Sequence, residues 1–143
     1  MKKLTTNLTI AAAALVVAVG AASAQTLTAE IPFAFRAGNQ VMAPGTYRID
    51  DLSGQTVTHV FRLSNMHSSQ TAALIPQAPV DPKKAWNANG NPRLAFECGS
   101  GRCALAELWA GPGSHAYTFP RPKLGKDETA DLREIPMQRG KGE

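Results

Sequence analysis

Cysteine is nearly absent from this chain, which has two in 143 residues. Two thiols are too few for a disulfide-dense scaffold and supply only half of a four-cysteine zinc site. Aromatic residues make up 6% of the sequence. They are not interleaved with basic residues in a stripe, so a stacking platform for single-stranded nucleic acid finds no footing. Neither sign of charge dominates, with 15 Lys and Arg against 11 Asp and Glu. The longest apolar run, Ile10 to Val19, is about half the roughly 20 residues that a membrane-spanning helix needs. The three histidines fall in no H-x-H or H-E-x-x-H spacing, and no EF-hand, Walker or Rossmann pattern occurs. The sequence therefore implies no metal and no cofactor.

What is present begins at the N-terminus. Met1-Lys2-Lys3 precedes the apolar run, and Ala22-Ser23-Ala24 follows it. A positive start, a short apolar segment and an A-x-A site form a secretory signal peptide. The expected division is a signal over 1–24, a single β domain over 25–119 and a polar, partly disordered tail over 120–143. Loss of Lys2 and Lys3 lowers the formal charge from +4 to +2, so the basic balance carries little weight. The expected location is the periplasm or the exterior, with no stable membrane insertion after cleavage and no nucleic-acid partner.

The most specific stretch is Arg93 to Trp109, two apolar runs around Gly99-Ser100-Gly101 with one cysteine on each side. It reads as a β-hairpin. One register opposes Cys98 to Cys103, Phe96 to Leu105 and Leu94 to Glu107. A shorter loop would send the cysteines to opposite faces. The first register gathers Leu94, Phe96, Cys98, Cys103, Leu105 and Trp109 on one face, because side chains alternate along a strand. It also brings the sulfurs within bonding range. We expect a Cys98–Cys103 disulfide that pins the register, closing a loop so short that the chain-entropy model gives roughly 2 kcal/mol. A redox-active pair or a zinc half-site are the alternatives. Glu107 is the misfit of this register, a carboxylate on the apolar face.

Elsewhere, period-two alternation predicts strands over Leu27–Arg36, Thr46–Asp50, Val57–Asn65, Thr71–Ile75 and His115–Phe119. Pro32 marks the first as an edge or bulged strand. Ala43-Pro44-Gly45 and Ser53-Gly54-Gln55 are turns. Pro76 to Pro92 reads as a long loop, with Trp86 either folded back on the core or facing a partner. Asp127 reads as the cap of a short helix through Ile135. The fold class is all-β, an antiparallel sandwich or small barrel of about seven strands.

Ile31-Pro32-Phe33-Ala34-Phe35 and Ala43-Pro44-Gly45-Thr46-Tyr47 resemble motifs of an uncharacterised family of small exported bacterial all-β proteins. That family carries a signal peptide, an I-P-F-x-F strand, a P-A-G-T-Y turn and a Leu-x-Phe hairpin. Ala and Pro are interchanged in the second motif here. The resemblance covers most of the mature chain and implies a small all-β domain. It supplies no activity or catalytic residue.

No catalytic set emerges. His59 lies on the apolar parity of its strand with Val57, Phe61 and Leu63, and His115 starts a strand. Asp50 and Asp51 are adjacent and point to opposite faces. Ser100 sits in a hairpin turn, which is not the strand-to-helix elbow of a hydrolase. The expected function is a non-catalytic envelope protein acting by binding or structural interaction, with Trp86, Glu107, His59 and His115 as candidate binding residues. Its partner would be an envelope or extracellular protein or a small apolar ligand. An alternative is a carrier holding an apolar ligand in a barrel lined by Phe33, Phe35, Tyr47, Phe61 and Trp109. A hydrolase using His59, Glu107 or His115 is the third reading.

Overall fold

The computed structural model describes residues 26–52, 58–121 and 129–140. The expected signal peptide, Val57, the expected Ser53–Gln55 turn and the expected cap at Asp127 lie outside those residues.

Strand β1 (Leu27–Ile31) buries Leu27, Ala29 and Ile31 and exposes Glu30. The alternation continues to Arg36 in sequence, but the strand stops at Pro32. That residue has no N–H to give to a ladder. The chain turns there and resumes as β2 (Phe35–Ala37) in a different sheet. The single strand expected over Leu27–Arg36 is therefore two strands joined at a corner, a recognised way for one strand to serve two packed sheets. Nor is β1 an edge, since β4 (Gly45–Asp51) and β12 (Gln138–Arg139) pair on its two sides. Strand β3 (Gln40–Met42) forms a small hairpin with β2.

Sheet one runs β12-β1-β4-β5-β6, with β5 at Phe61–Asn65 and β6 at Thr71–Leu74. Sheet two runs β11-β8-β9-β10-β7, with β2 added alongside β9. Its strands are β7 (Pro79–Val80), β8 (Arg93–Gly99), β9 (Arg102–Trp109), β10 (Ala116–Thr118) and β11 (Asp131–Pro136). The sheets face each other over one core that includes Ile31, Phe35, Tyr47, Leu63, Leu94, Phe96 and Leu108. The fold is an all-β sandwich with no closed barrel. The aromatics expected to line a barrel cavity in the carrier reading pack inside the sandwich. Phe35 packs edge-on to Tyr47 and Phe96 at 5.3 and 5.2 Å, and Phe33 to Phe96 at 5.0 Å.

The β8–β9 hairpin opposes Cys98 to Cys103 and Phe96 to Leu105, and the cysteines form a disulfide. Its turn residues Ser100 and Gly101 have φ of 51° and 74°. Both central residues of a two-residue type I′ turn need positive φ. Closer to the strand ends the register shifts. Ala95 opposes Glu107 and Leu94 opposes Leu108, leaving Ala106 as the extra residue of a β-bulge. The predicted Leu94–Glu107 pairing is thus corrected by one position. The bulge reverses parity beyond it. Leu108 joins the inter-sheet core, while Trp109 moves to the opposite face. Glu107 takes that outer parity too, so the carboxylate leaves the apolar face.

The outer face of sheet two is covered in turn. Part of the expected loop Pro76–Pro92 is a helix, α1 (Lys84–Asn89), ended by Gly90 in the left-handed region with its N–H donated to the Trp86 carbonyl at 2.8 Å. Trp86 is 1% exposed and stacks on Trp109 with centroids 6.1 Å apart, above Ala95 and Ala116.

The polar tail is also corrected. Its described portion is strand where a helix was expected, and β11 pairs with β8 from Asp131↔Cys98 to Pro136↔Arg93. A helix would have offered only Leu132 and Ile135 as apolar grip. As a strand the segment completes the hydrogen bonding of β8, half-buries Ile135 and leaves Leu132 in solvent. At Met137, buried in the core, the chain crosses back to sheet one as β12.

Candidate functional site

The four candidate binding residues are not brought together. Trp86 is sealed beneath its own helix. Its indole N–H donates to Glu134 at 2.8 Å, and Arg93 joins the other oxygen of that carboxylate at 3.1 Å. It is a packing residue and presents no surface to a partner. Glu107 is half-buried between Ala95 and Thr118 on the outer parity of sheet two. His115 is exposed in the turn before β10. His59 lines a pocket.

That pocket has a volume of about 220 Å³ and is lined by Thr58, His59, Pro76, Gln77, Ala78, Pro79 and Tyr117. It lies where the inter-sheet core meets solvent. Three separate segments line it, Thr58–His59, Pro76–Pro79 and Tyr117, with Asp51 of a fourth segment against His59. Strand β4 carries Tyr47 and Ile49 inward, and the same parity brings Asp51 to the inner side at the strand's last residue. His59 precedes β5, with its ring parallel to Phe61 at 6.2 Å. Tyr117 comes from β10 on the other sheet, with its ring 4.8 Å from His59 and 5.1 Å from Phe61. The Pro76–Pro79 segment closes the side, held by the Gln77 N–H donating to the Thr118 carbonyl at 2.9 Å.

Asp51, His59 and Tyr117 form a polar chain. Asp51 Oδ2 lies 3.3 Å from His59 Nδ1, and Tyr117 Oη lies 3.2 Å from His59 Nε2. An ionised carboxylate only accepts, so Asp51 selects the imidazole tautomer with its proton on Nδ1. Nε2 of the neutral ring is then an acceptor, and the Tyr117 hydroxyl donates to it. Burial pushes the Tyr117 phenol above its ordinary value of 10.0, and the Asp51 charge raises it further. Its proton is held firmly. A carboxylate, an imidazole and a hydroxyl in line have the order of a nucleophilic triad. A phenol with a raised pKa is a poor nucleophile, and the arrangement serves hydrogen bonding better than acyl transfer.

The neighbouring Asp50 has a different fate. It points to the outer face of sheet one and is 5% exposed, clamped by Arg48 Nε and Arg62 Nη2 at 3.1 Å each. Both acceptor oxygens are used within the fold. Among the described residues, no group of three or more His, Cys, Asp or Glu is placed to hold a metal ion.

Sequence reasoning found His59 and missed its two partners. Asp51 had a legible signal, since it continues the inward parity of Tyr47 and Ile49. Tyr117 had none, because its approach to His59 depends on how the two sheets stack. No protein-family model, curated protein or solved structure matches this chain.

Proposed function

We propose that the protein is an exported, non-catalytic binding module of the cell envelope, working in the periplasm or after secretion, and that it binds through the His59–Tyr117 pocket. The pocket carries this reading. It is a small concave site, about 220 Å³ against roughly 300–1,000 Å³ for the usual ligand cleft, with proline walls and a few convergent polar groups. Its size suits a fragment-sized molecule or one side chain of an envelope protein. The signal-like N-terminus, a disulfide suited to an oxidising compartment and the resemblance at Ile31–Phe35 support export. Carriage of an apolar ligand inside a barrel loses its support, because the sheets stay open and the aromatics pack against one another.

Two measurements test the proposal. Cell fractionation followed by N-terminal sequencing should recover a mature chain that starts at Gln25 outside the cytoplasm. A full-length cytoplasmic product would overturn export. A fragment screen by NMR should produce hits whose shift changes centre on His59, Ala78 and Tyr117. Hits confined to other surfaces would overturn the pocket assignment.

The ordered Asp51–His59–Tyr117 chain favours hydrolysis as a second reading. Turnover of activated esters that disappears in His59→Gln and Tyr117→Phe would establish it. A protonated phenol argues for no turnover.

A further inference from the structure

We infer that the pocket selects ligands by the hydrogen-bonding sense of their head group: a hydrogen-bond donor such as a primary ammonium, on a ring-sized apolar body, is preferred while His59 is neutral, and the preference weakens or inverts when His59 is protonated. This rests on the binding reading above and deepens it.

The proton positions set this preference. In the neutral state Asp51 holds the proton on Nδ1, and Tyr117 gives its own proton to Nε2. The hydroxyl proton is then committed within the protein. What Tyr117 Oη keeps for a ligand is acceptor capacity. Donation to an imidazole backed by a carboxylate strengthens that capacity, because hydrogen bonds in a chain polarise one another. Pro76, Ala78 and Pro79 provide an apolar wall beside it. A donor head on a small ring satisfies both surfaces. Protonation of His59 reverses the chain. Nε2 now carries a proton and donates to Oη, and the Tyr117 hydroxyl must turn its own proton elsewhere. The pocket then offers a donor beside a cationic imidazole, which suits a carboxylate. Among the groups that face His59 are Asp51 from β4 and Tyr117 from β10, with Phe61 against its ring and the neutral Gln77 across the pocket.

The test uses the mature, oxidised protein with benzylammonium and benzoate, two probes with one ring and opposite head groups, titrated by NMR. At about pH 8 benzylammonium should bind about tenfold tighter, with shifts at His59, Ala78 and Tyr117, and by about pH 5 the ratio should fall to parity or below. The positive formal charge of the chain would by itself favour benzoate, so the expected order cannot come from net charge. Tyr117→Phe keeps the ring, removes Oη and should bring the high-pH ratio close to one. His59→Gln should remove the pH dependence. The wild-type series stands alone if either variant fails to fold. Equal affinities at high pH would overturn the head-group assignment and leave the pocket as a binding site. A preference that ignores pH would overturn the role of His59. Shifts with neither probe at any pH would overturn this inference and the pocket reading together.

Discussion

The Trp86 and Tyr117 clusters are built from similar parts and have opposite characters. Each groups an aromatic ring with a polar tip, a carboxylate and a side chain that can carry positive charge, but the Trp86 indole bonds Glu134 directly while Tyr117 reaches Asp51 only through His59. Around Trp86 the chain closes on itself. The indole and Arg93 take both oxygens of Glu134, Trp109 covers one ring face, and Lys83 and Arg93 lie 5.1 and 5.6 Å from the ring centre. Around Tyr117 the chain runs through His59, and both rings line a pocket. A cluster whose hydrogen-bonding capacity is used inside the fold stabilises it. A cluster that borders a pocket is placed to meet a ligand.

The largest test of that contrast is Trp86→Ala. Removing a fully buried tryptophan should cost about 3–5 kcal/mol, and it strands the Glu134 and Arg93 partners as well. Chemical denaturation of the variant should show a much lower midpoint. His59→Ala should cost about 1 kcal/mol or less, because a half-exposed side chain loses little burial. Equal losses at the two sites would break the division into a structural and a functional cluster.

Next in size is the disulfide. Replacing both Cys98 and Cys103 with Ser should lower stability by roughly 2 kcal/mol, as expected for a loop this short. The bond joins the ends of β8 and β9 next to the turn, and the pocket is built by other segments. Ligand binding should therefore survive, and its loss would show that the pocket depends on the hairpin register. Glu134→Gln is smaller again. The new amide still accepts from the indole and loses only the partly exposed pairing with Arg93, so about 1 kcal/mol is expected.

Much of this contrast was legible in the sequence, and the rest was not, for identifiable reasons. Alternation exposed the inward faces of β1, β4 and β5, because a strand half in a core must alternate. The cysteine spacing exposed the Cys98–Cys103 register. Hidden were the features that depend on a single inserted residue or on distant pairing. Ala106 as a bulge reverses the parity of Glu107 and Trp109, and nothing in A-L-A-E-L-W distinguishes it from a regular strand. Polar Asp131–Pro136 folds as a strand because β8 offers it an edge, not because of its own pattern. The Pro-rich flanks hid α1, whose six residues are held by one buried tryptophan. Tyr117 meets His59 across 58 positions, a distance that local periodicity does not span.

The smallest effect is the most discriminating. Tyr117→Phe should cost about 1 kcal/mol at neutral pH, the net value of one hydrogen bond with the ring kept in place. Its pH dependence then separates the cluster from ordinary packing. Burial and Asp51 hold the folded phenol above 10.0, while the unfolded phenol ionises at about 10. The unfolded state loses its proton first as pH rises. The stabilisation from a raised pKa is complete below the unfolded value and is lost as pH climbs through the folded one. The stability difference between wild type and Tyr117→Phe should stay level to about pH 9 and shrink above it. Tyr47 is common to both proteins and cancels. A difference that grew in alkali would mean the folded phenol ionises more easily than the free one, and the poor nucleophile inferred here would become a good one.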